Sequence, residues 1–386
     1  MIVSQPLSIH FPGKLVFGND LLPALSNDVL ALSPAKILLV TIDPLLDKLA
    51  GFIDAMKQHE VAVTVYTGIV QEPSFKDFTL LMEKVSPINP DIIIGIGGGS
   101  VLDIAKLVAA QLENPQSLKE YVGIGLLKGR KKKLICIPTT SGTGSEASPN
   151  AILVDDDDNQ KKGIISPFLV PDMVYVDPML TTSVPPFITA ATGIDALTHC
   201  LEAYTNKFAQ PFIDIYAYEG MRLIAANIVE AVQNGSNIEA RSHVAMGSLL
   251  GGFCLGPVNT AGVHALSYPL GSMFHLPHGL SNALLLPYVM EFNIPAAPAR
   301  YAEVAIALGC ERASDDMTTA RKGVEKIKEL IAACKLPATL AEAGVPEEAI
   351  PRMAAEAMKI QRLLKNNPRV ITEEDAVNIY KAAFNK

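Results

Sequence analysis

Residues 91–106, DIIIGIGGGSVLDIAK, decide how this chain folds. DIIIGI at 91–96 is apolar with no polar alternation, the pattern of a strand covered on both faces. Gly97, Gly98, Gly99 and Ser100 then interrupt it, and VLDIAK at 101–106 opens a helix that runs to about Leu112. Asp103 and Lys106 fall one turn apart on that helix. Glycines let a backbone approach a ligand closely. The helix N-terminus beyond them offers unpaired N–H groups and the positive end of a dipole to a phosphate. A bare GGGS is equally a tight turn; its place between strand and helix favours the phosphate reading. It is not the GxGxxG fingerprint, because the spacing differs and it comes in the third strand–helix unit.

The same alternation extends on both sides. KILLVT (36–41) and VAVTVY (61–66) read as strands, each followed by a helical stretch, at 45–59 and 75–85. LICIP, from Leu134, is another strand, and TTSGTGSE (139–146) follows it with clustered hydroxyls and glycines. Two such loops at successive strand ends suit a pyrophosphate, ribose or carboxamide better than a plain connection. Residues 150–154 and 161–165 read as a hairpin with the acidic stretch 155–158 as its solvated tip, and 174–176 is a last strand. Strands alternating with helices imply a parallel, doubly wound sheet. Ligands of such sheets bind beyond the carboxyl ends of the strands. From Pro185 helical periodicity takes over, through 190–204, 211–232, 238–250, 280–292, 300–308, 317–334 and 350–364, with a last helix starting after Thr372. The expected division is an α/β domain over residues 1–182 and an all-α domain over 183–386.

The helical half opens with TAATGIDALTHCLEAY (189–204), where Asp195 and His199 stand four apart and share one helix face. By itself the pair is no more than a helix with one acid and one packed histidine. HALSYPLGSMFHLPHG (264–279) adds His264, His275 and His278, and an Asp with several His is a ligand set for zinc or iron. The span from His264 to His278 is too long for one helical face, so a loop must bring them together.

At 386 residues two domains are expected, and 49% hydrophobic content supports sizeable cores. A net charge of −8 speaks against nucleic acid or an anionic membrane as partner. KGRKKK (128–133) reads as a solvated loop before a strand. Five cysteines without a CxxC pair suit reduced, buried thiols. The N-terminal MIVSQPLSIHFPG lacks the pattern of a signal peptide. No apolar run approaches the roughly 20 residues of a membrane span. A cytoplasmic, soluble protein is expected.

GGGSVLDIAK (97–106), PTTSGTGSEAS (138–148), SPFLVPDMVYVDPMLT (166–181), ATGIDALTHCLEAY (191–204), GVHALSYPLGSMFHLPHGLSNALLLP (262–287) and NNPR (366–369) together resemble the iron-containing, or group III, alcohol dehydrogenases, of dehydroquinate synthase-like fold. The resemblance covers nearly the whole chain. It implies a doubly wound dinucleotide-binding domain followed by an all-helical metal and substrate domain. It also implies one divalent metal, Fe2+ or Zn2+, held by Asp195, His199, His264 and His278. The pyrophosphate of NAD or NADP would lie at Gly98, Gly99 and Ser100. Thr139, Thr140 and Thr143 would line the nicotinamide and its ribose, with Asp103, Lys161 and Leu180 nearby and the loop Glu72, Pro73, Ser74 at the border. The implied reaction is hydride transfer between NAD(P) and an alcohol or carbonyl substrate.

Two positions depart from the family pattern. Where several members carry a further His, this chain has Tyr268, so His275, Tyr268 or water is left to carry the substrate proton. Where NAD-specific members often place an Asp after the first strand, Ile42 stands, with Asp43 one later; NAD and NADP both stay open. A sugar-phosphate cyclase-like lyase of the same fold would need several Lys and Arg on a substrate phosphate, but residues 185–290 hold only Lys207, Arg222 and Arg241. A binding protein with lapsed catalysis is disfavoured by the intact Asp/His set. The resemblance also implies a homodimer, with KLVFG (14–18) as the pairing edge. His10, His59 and His243 lie outside every motif and are read as surface or packing residues.

Overall fold

A computed structural model describes residues 7–70, 72–157 and 160–385. Asp158 at the acidic tip and the first six residues of the N-terminal segment lie outside the described residues. The strands are β1 (Lys14–Phe17), β2 (Lys36–Val40), β3 (Ala62–Tyr66), β4 (Ile92–Gly97), β5 (Gly123–Ile124), β6 (Lys133–Pro138), β7 (Asn150–Asp155), β8 (Gln160–Ile165) and β9 (Met173–Val176). Six form one sheet in the order β1-β9-β6-β4-β2-β3, with every neighbouring pair parallel. β7 and β8 pair antiparallel as the expected hairpin, and β5 extends them to a small second sheet.

The unbroken apolar run of β4 is explained by its place between β2 and β6. Its side chains alternate between two cores: Ile93 joins Leu38, Leu134 and Cys136, while Ile92, Ile94 and Ile96 join Ile37, Leu39 and Ile135. Helices α1 (Leu22–Ala31) and α2 (Leu46–Gln58) cover the second core through Leu25, Leu49 and Phe52. α3 (Phe75–Val85) and α4 (Gly99–Gln111) cover the first through Phe78, Leu81, Leu102 and Val108.

Lys106 on α4 is fully buried, which would be costly for an unpaired ammonium. Its Nζ donates to the carbonyls of Ser145, Ser148 and Asn150 at 2.8, 2.8 and 2.5 Å. Asp103 accepts from the Ser145 hydroxyl at 2.5 Å and the Ile152 amide at 3.0 Å. The one-turn Asp/Lys spacing thus ties α4 to the segment leading into β7. Burial pulls the Lys106 ammonium down and pushes the Asp103 carboxyl up. The neighbouring Glu146 carboxyl is pushed up to about 7 by burial.

The basic run 128–133 is not simply solvated. Arg130 meets Asp172 at 2.6 Å and Lys132 meets Glu113 at 2.5 Å, because those two acids face the turn. All five cysteines are free thiols, and only Cys310 is not buried.

The chain divides into two compact units. One is His10–Thr140 with Ser145–Thr181; the other gathers residues 7–9, Ser141–Gly144 and everything from Thr182 on. The second unit is helical: α5 (Pro186–Thr205), α6 (Pro211–Gln233), α7 (Ile238–Leu255), α8 (Gly262–Phe274), α9 (His278–Asn293), α10 (Pro298–Ala307), α11 (Asp316–Ala333), α12 (Ile350–Ala357), α13 (Gln361–Leu364) and α14 (Glu373–Phe384). The helix read over 350–364 is broken into α12 and α13 by a tight turn in which the Ile360 amide returns to Ala357. α14 starts on a capping box between Thr372 and Asp375. Gly144 shows why the hydroxyl-rich loop needs glycine. Its φ is +59°, and a Cβ there would stand 2.5 Å from the Gly252 Cα on α7. No helix among the described residues is long and apolar enough to cross a membrane.

Candidate metal centre

α5 is the buried axis of the helical unit, packed against α6, α7 and α9. Its small residues allow that approach and leave one polar stripe, Asp195, His199 and Glu202, at steps of four and three. All three side chains are buried. α8 carries His264 in its first turn, and α9 begins at His278.

The donor atoms converge. Asp195 Oδ1 lies 3.7 Å from His199 Nε2, 3.5 Å from His264 Nε2 and 3.7 Å from His278 Nε2. A tetrahedral divalent metal with bonds of about 2.1 Å needs donor atoms about 3.4 Å apart. The distances from Asp195 are close to that value, the ligand atoms of Asp195, His199 and His264 all lie within 4.8 Å of one another, and His278 approaches from the Asp195 side. The chemistry of the set, three imidazoles and one carboxylate, suits zinc or ferrous iron. The His199 and His264 rings stack, with centroids 4.8 Å apart.

Electrostatics follow from burial and partners. Burial pushes the Asp195 carboxyl up, but the surrounding imidazoles outweigh it and hold it well below the usual carboxylate range. For His264 burial acts downward, and the bonds to Asp195 and Glu202 overcome it, raising it to about 10. His199 goes the other way, lowered chiefly by burial.

Glu202, which carries no role in the sequence reading, is the strongest partner of the cluster. Its Oε2 lies 2.6 Å from His264 Nδ1, and the carboxylate also accepts from the amides of Ala261 and Val263 at 3.0 and 2.6 Å. One acid therefore seats the start of α8 and turns His264 Nε2 toward Asp195. Its spacing from Asp195 and His199 was the available signal. Asn282, one turn after His278 on α9, likewise goes unread in the sequence, yet donates to Asp195 Oδ1 at 2.6 Å.

Tyr268 lies beside His278, with ring centroids 6.0 Å apart, and its hydroxyl accepts from Arg362 at 2.9 Å. His275 is exposed and ends α8 in the left-handed conformation, φ +55°.

In the sheet unit, Gly98 is the N-cap of α4 without a side-chain cap, and Gly98, Gly99 and Ser100 are half-buried. Thr140 stands against Gly98, where a Cβ would meet its Oγ1 at 3.4 Å. Thr139 is buried, and its amide bonds the Gly97 carbonyl at 3.0 Å. The candidates at the ends of β4 and β6 are thus neighbours. Lys161 pairs with Glu72 at 2.5 Å, and Leu180 is buried. Thr143 belongs to the helical unit, between Gly142 and Gly144.

The description "Iron-containing alcohol dehydrogenase" matches residues 12–178, and "Fe-containing alcohol dehydrogenase family, C-terminal" matches 189–384. The chain belongs to the iron-containing alcohol dehydrogenase family. Among its relatives, long-chain-alcohol dehydrogenase 1 of Geobacillus thermodenitrificans is 39% identical over 97% of this chain and 96% of its own. A crystal structure of 1,3-propanediol oxidoreductase matches with a TM-score of 0.94 at 31% identity, covering 98% of this chain and all of that one. A sulfoacetaldehyde reductase from Bifidobacterium kashiwanohense, solved in complex with NAD+, matches with a TM-score of 0.88 at 27% identity, over 98% and 99%.

In this family member Gly279, directly after His278, brings α9 against α5. A Cβ there would collide with the Ala191 carbonyl, 2.6 Å from its carbon. Gly279→Ala is expected to destabilise the protein by about 1–3 kcal/mol through overpacking. Metal affinity should fall with it, because His278 shifts. Thermal melts with and without added metal measure both effects.

Proposed function

We propose that Asp195, His199, His264 and His278 hold one divalent metal, Fe2+ or Zn2+, at the substrate site of an NAD(P)-dependent alcohol dehydrogenase. The enzyme is an oxidoreductase acting on small-molecule alcohols and aldehydes. The observation that carries the reading is the convergence of the imidazole Nε2 atoms at 3.5–3.7 Å around one carboxylate oxygen.

When bound, the metal supplies Lewis-acid polarisation of the substrate oxygen, and the nicotinamide carries the hydride. The chain's own residues do the rest. Glu202 holds the proton on His264 Nδ1, which keeps Nε2 aimed into the cluster. Burial of Asp195, His199 and His264 excludes water from one side, while the partly exposed His278 marks the open side. Beside it, Tyr268 is the proposed proton relay. Its hydroxyl, which accepts from the Arg362 guanidinium, would exchange a proton with the substrate oxygen, with His275 as the outer alternative.

The cofactor would take its phosphates at Gly98, Gly99 and Ser100 and its nicotinamide ribose along Thr139, Thr140 and Thr143. Asp103, Lys161 and Leu180 would border it, with residues 1–182 as the nucleotide domain and 183–386 as the metal and substrate domain. The exposed Asp43 after β2 leaves both NAD and NADP admissible. β1 is an edge strand with Leu15 exposed, which supports pairing of two copies into a homodimer. A cytoplasmic setting without nucleic-acid or membrane partner accords with the net charge of −8.

The test is a panel of alcohols and aldehydes followed at the reduced-nicotinamide absorbance band, with NAD and NADP side by side and metal content measured in parallel. Turnover by metal-loaded protein is expected; no metal and no turnover across the panel defeats the reading.

A further inference from the structure

We infer that Asn282 is a positioning residue that closes one face of the metal's ligand set, so that substrate oxygen must enter beside His199 and His278. The inference rests on the reading of the centre given above and concerns how that centre is approached. Asn282 Nδ2 donates to Asp195 Oδ1 at 2.6 Å and lies 3.1 Å from His264 Nε2 and 3.4 Å from His278 Nε2. An amide nitrogen that near to all three donor atoms occupies the space between them. Neither water nor a substrate oxygen can pass through that face while the amide stands there.

The amide is held for this edge. Asn282 is completely buried on α9, one turn past His278, so it has no solvent to swing into. Its own Oδ1 is buried and has no hydrogen-bond partner. A buried carbonyl left unsatisfied opposes folding and calls for a functional account. Here the N–H edge is spent on the ligating carboxylate, whose oxygen it fixes in direction. The face made by Asp195, His199 and His264 is closed by burial of all its members. The faces that remain contain both His199 and His278, and the His278 side chain is 29% exposed.

The test compares wild type, Asn282→Ala and Asn282→Leu after loading with Co2+. Three quantities are read: the visible d–d band, the rate of stripping by a chelator and the melting temperature of the metal-free protein. Wild type should show the band of cobalt that holds its protein ligands and at most one water, entering beside His199 and His278. N282A, with the face open, should admit water and show a weaker, higher-coordinate band with stripping faster by about tenfold. N282L fills the space without an N–H; it should keep the wild-type band while binding Co2+ about tenfold more weakly. An N282A band and stripping rate equal to wild type overturn the inference. If metal-free N282A does not fold, N282L decides, and wild-type affinity in N282L overturns it. Failure of wild type itself to take up Co2+ would defeat the reading of the centre, not the role of Asn282.

Discussion

His264→Ala is expected to abolish metal-supported turnover while nucleotide affinity stays at the wild-type level. His264 has three functions at once: it offers Nε2 to the cluster, stacks on His199 and neutralises the buried Glu202. Its loss removes a ligand and leaves a buried carboxylate facing a void, which costs about 1–3 kcal/mol of stability beyond the metal itself. Metal affinity should drop by more than about 100-fold, the upper end of what a supporting residue alone commands. Metal analysis after dialysis and nucleotide binding by fluorescence separate the two effects; equal loss of nucleotide affinity would place the site elsewhere. The same residue predicts a pH dependence in wild type. His264 is raised to about 10 in the metal-free cluster, so metal must displace a proton from it. Affinity should therefore weaken as pH falls below that value, by about tenfold per unit from this proton alone. For the metal-free protein the sign reverses. The raised imidazolium stabilises the fold fully below its ordinary value near 6.5, and that contribution is lost as pH rises through about 10.

Glu202→Gln carries the second large effect. Glutamine keeps the size, and its oxygen at the Oε1 place can still accept the Val263 amide, so half of the seat of α8 survives while the Ala261 amide loses its acceptor at the Oε2 place. Its NH2 group would meet His264 Nδ1 in place of an acceptor. The ring then carries its proton on Nε2, the atom the metal requires, and affinity should fall by about 10–100-fold. Glu202→Ala should lose the same affinity and, in addition, about 1–3 kcal/mol of stability, because buried amides at the start of α8 lose their acceptor. Chelator competition measures the affinity and urea unfolding the stability. Comparable destabilisation of both variants with unchanged metal affinity would reduce Glu202 to a structural acid.

What could be read before folding, and what could not, divides along the range of the interactions. β4 and α4 were legible because a strand buried on both faces is apolar without alternation, and because the glycine turn separates it sharply from helical spacing. Asp195 and His199 were legible as a local pair on one helix. α8 was not read as a helix, since Pro269 and Gly271 inside it break the pattern on which helices are recognised. The pairing of Asn282 with Asp195, or of Arg362 with Tyr268, spans 87 and 94 residues and exists only through tertiary packing. Lys106 is the same case. Its place one turn after Asp103 was visible, but the carbonyls that make its burial tolerable lie about forty residues downstream.

The central claim is that these side chains form one metal centre. Anomalous diffraction from crystals of metal-loaded protein, collected at the iron and zinc edges, tests it most directly. The account predicts a single peak per chain within bonding distance of Asp195, His199, His264 and His278, with Asn282 beside the Asp195–His264–His278 face. No peak in loaded crystals, or a peak whose nearest side chains are others, would contradict it.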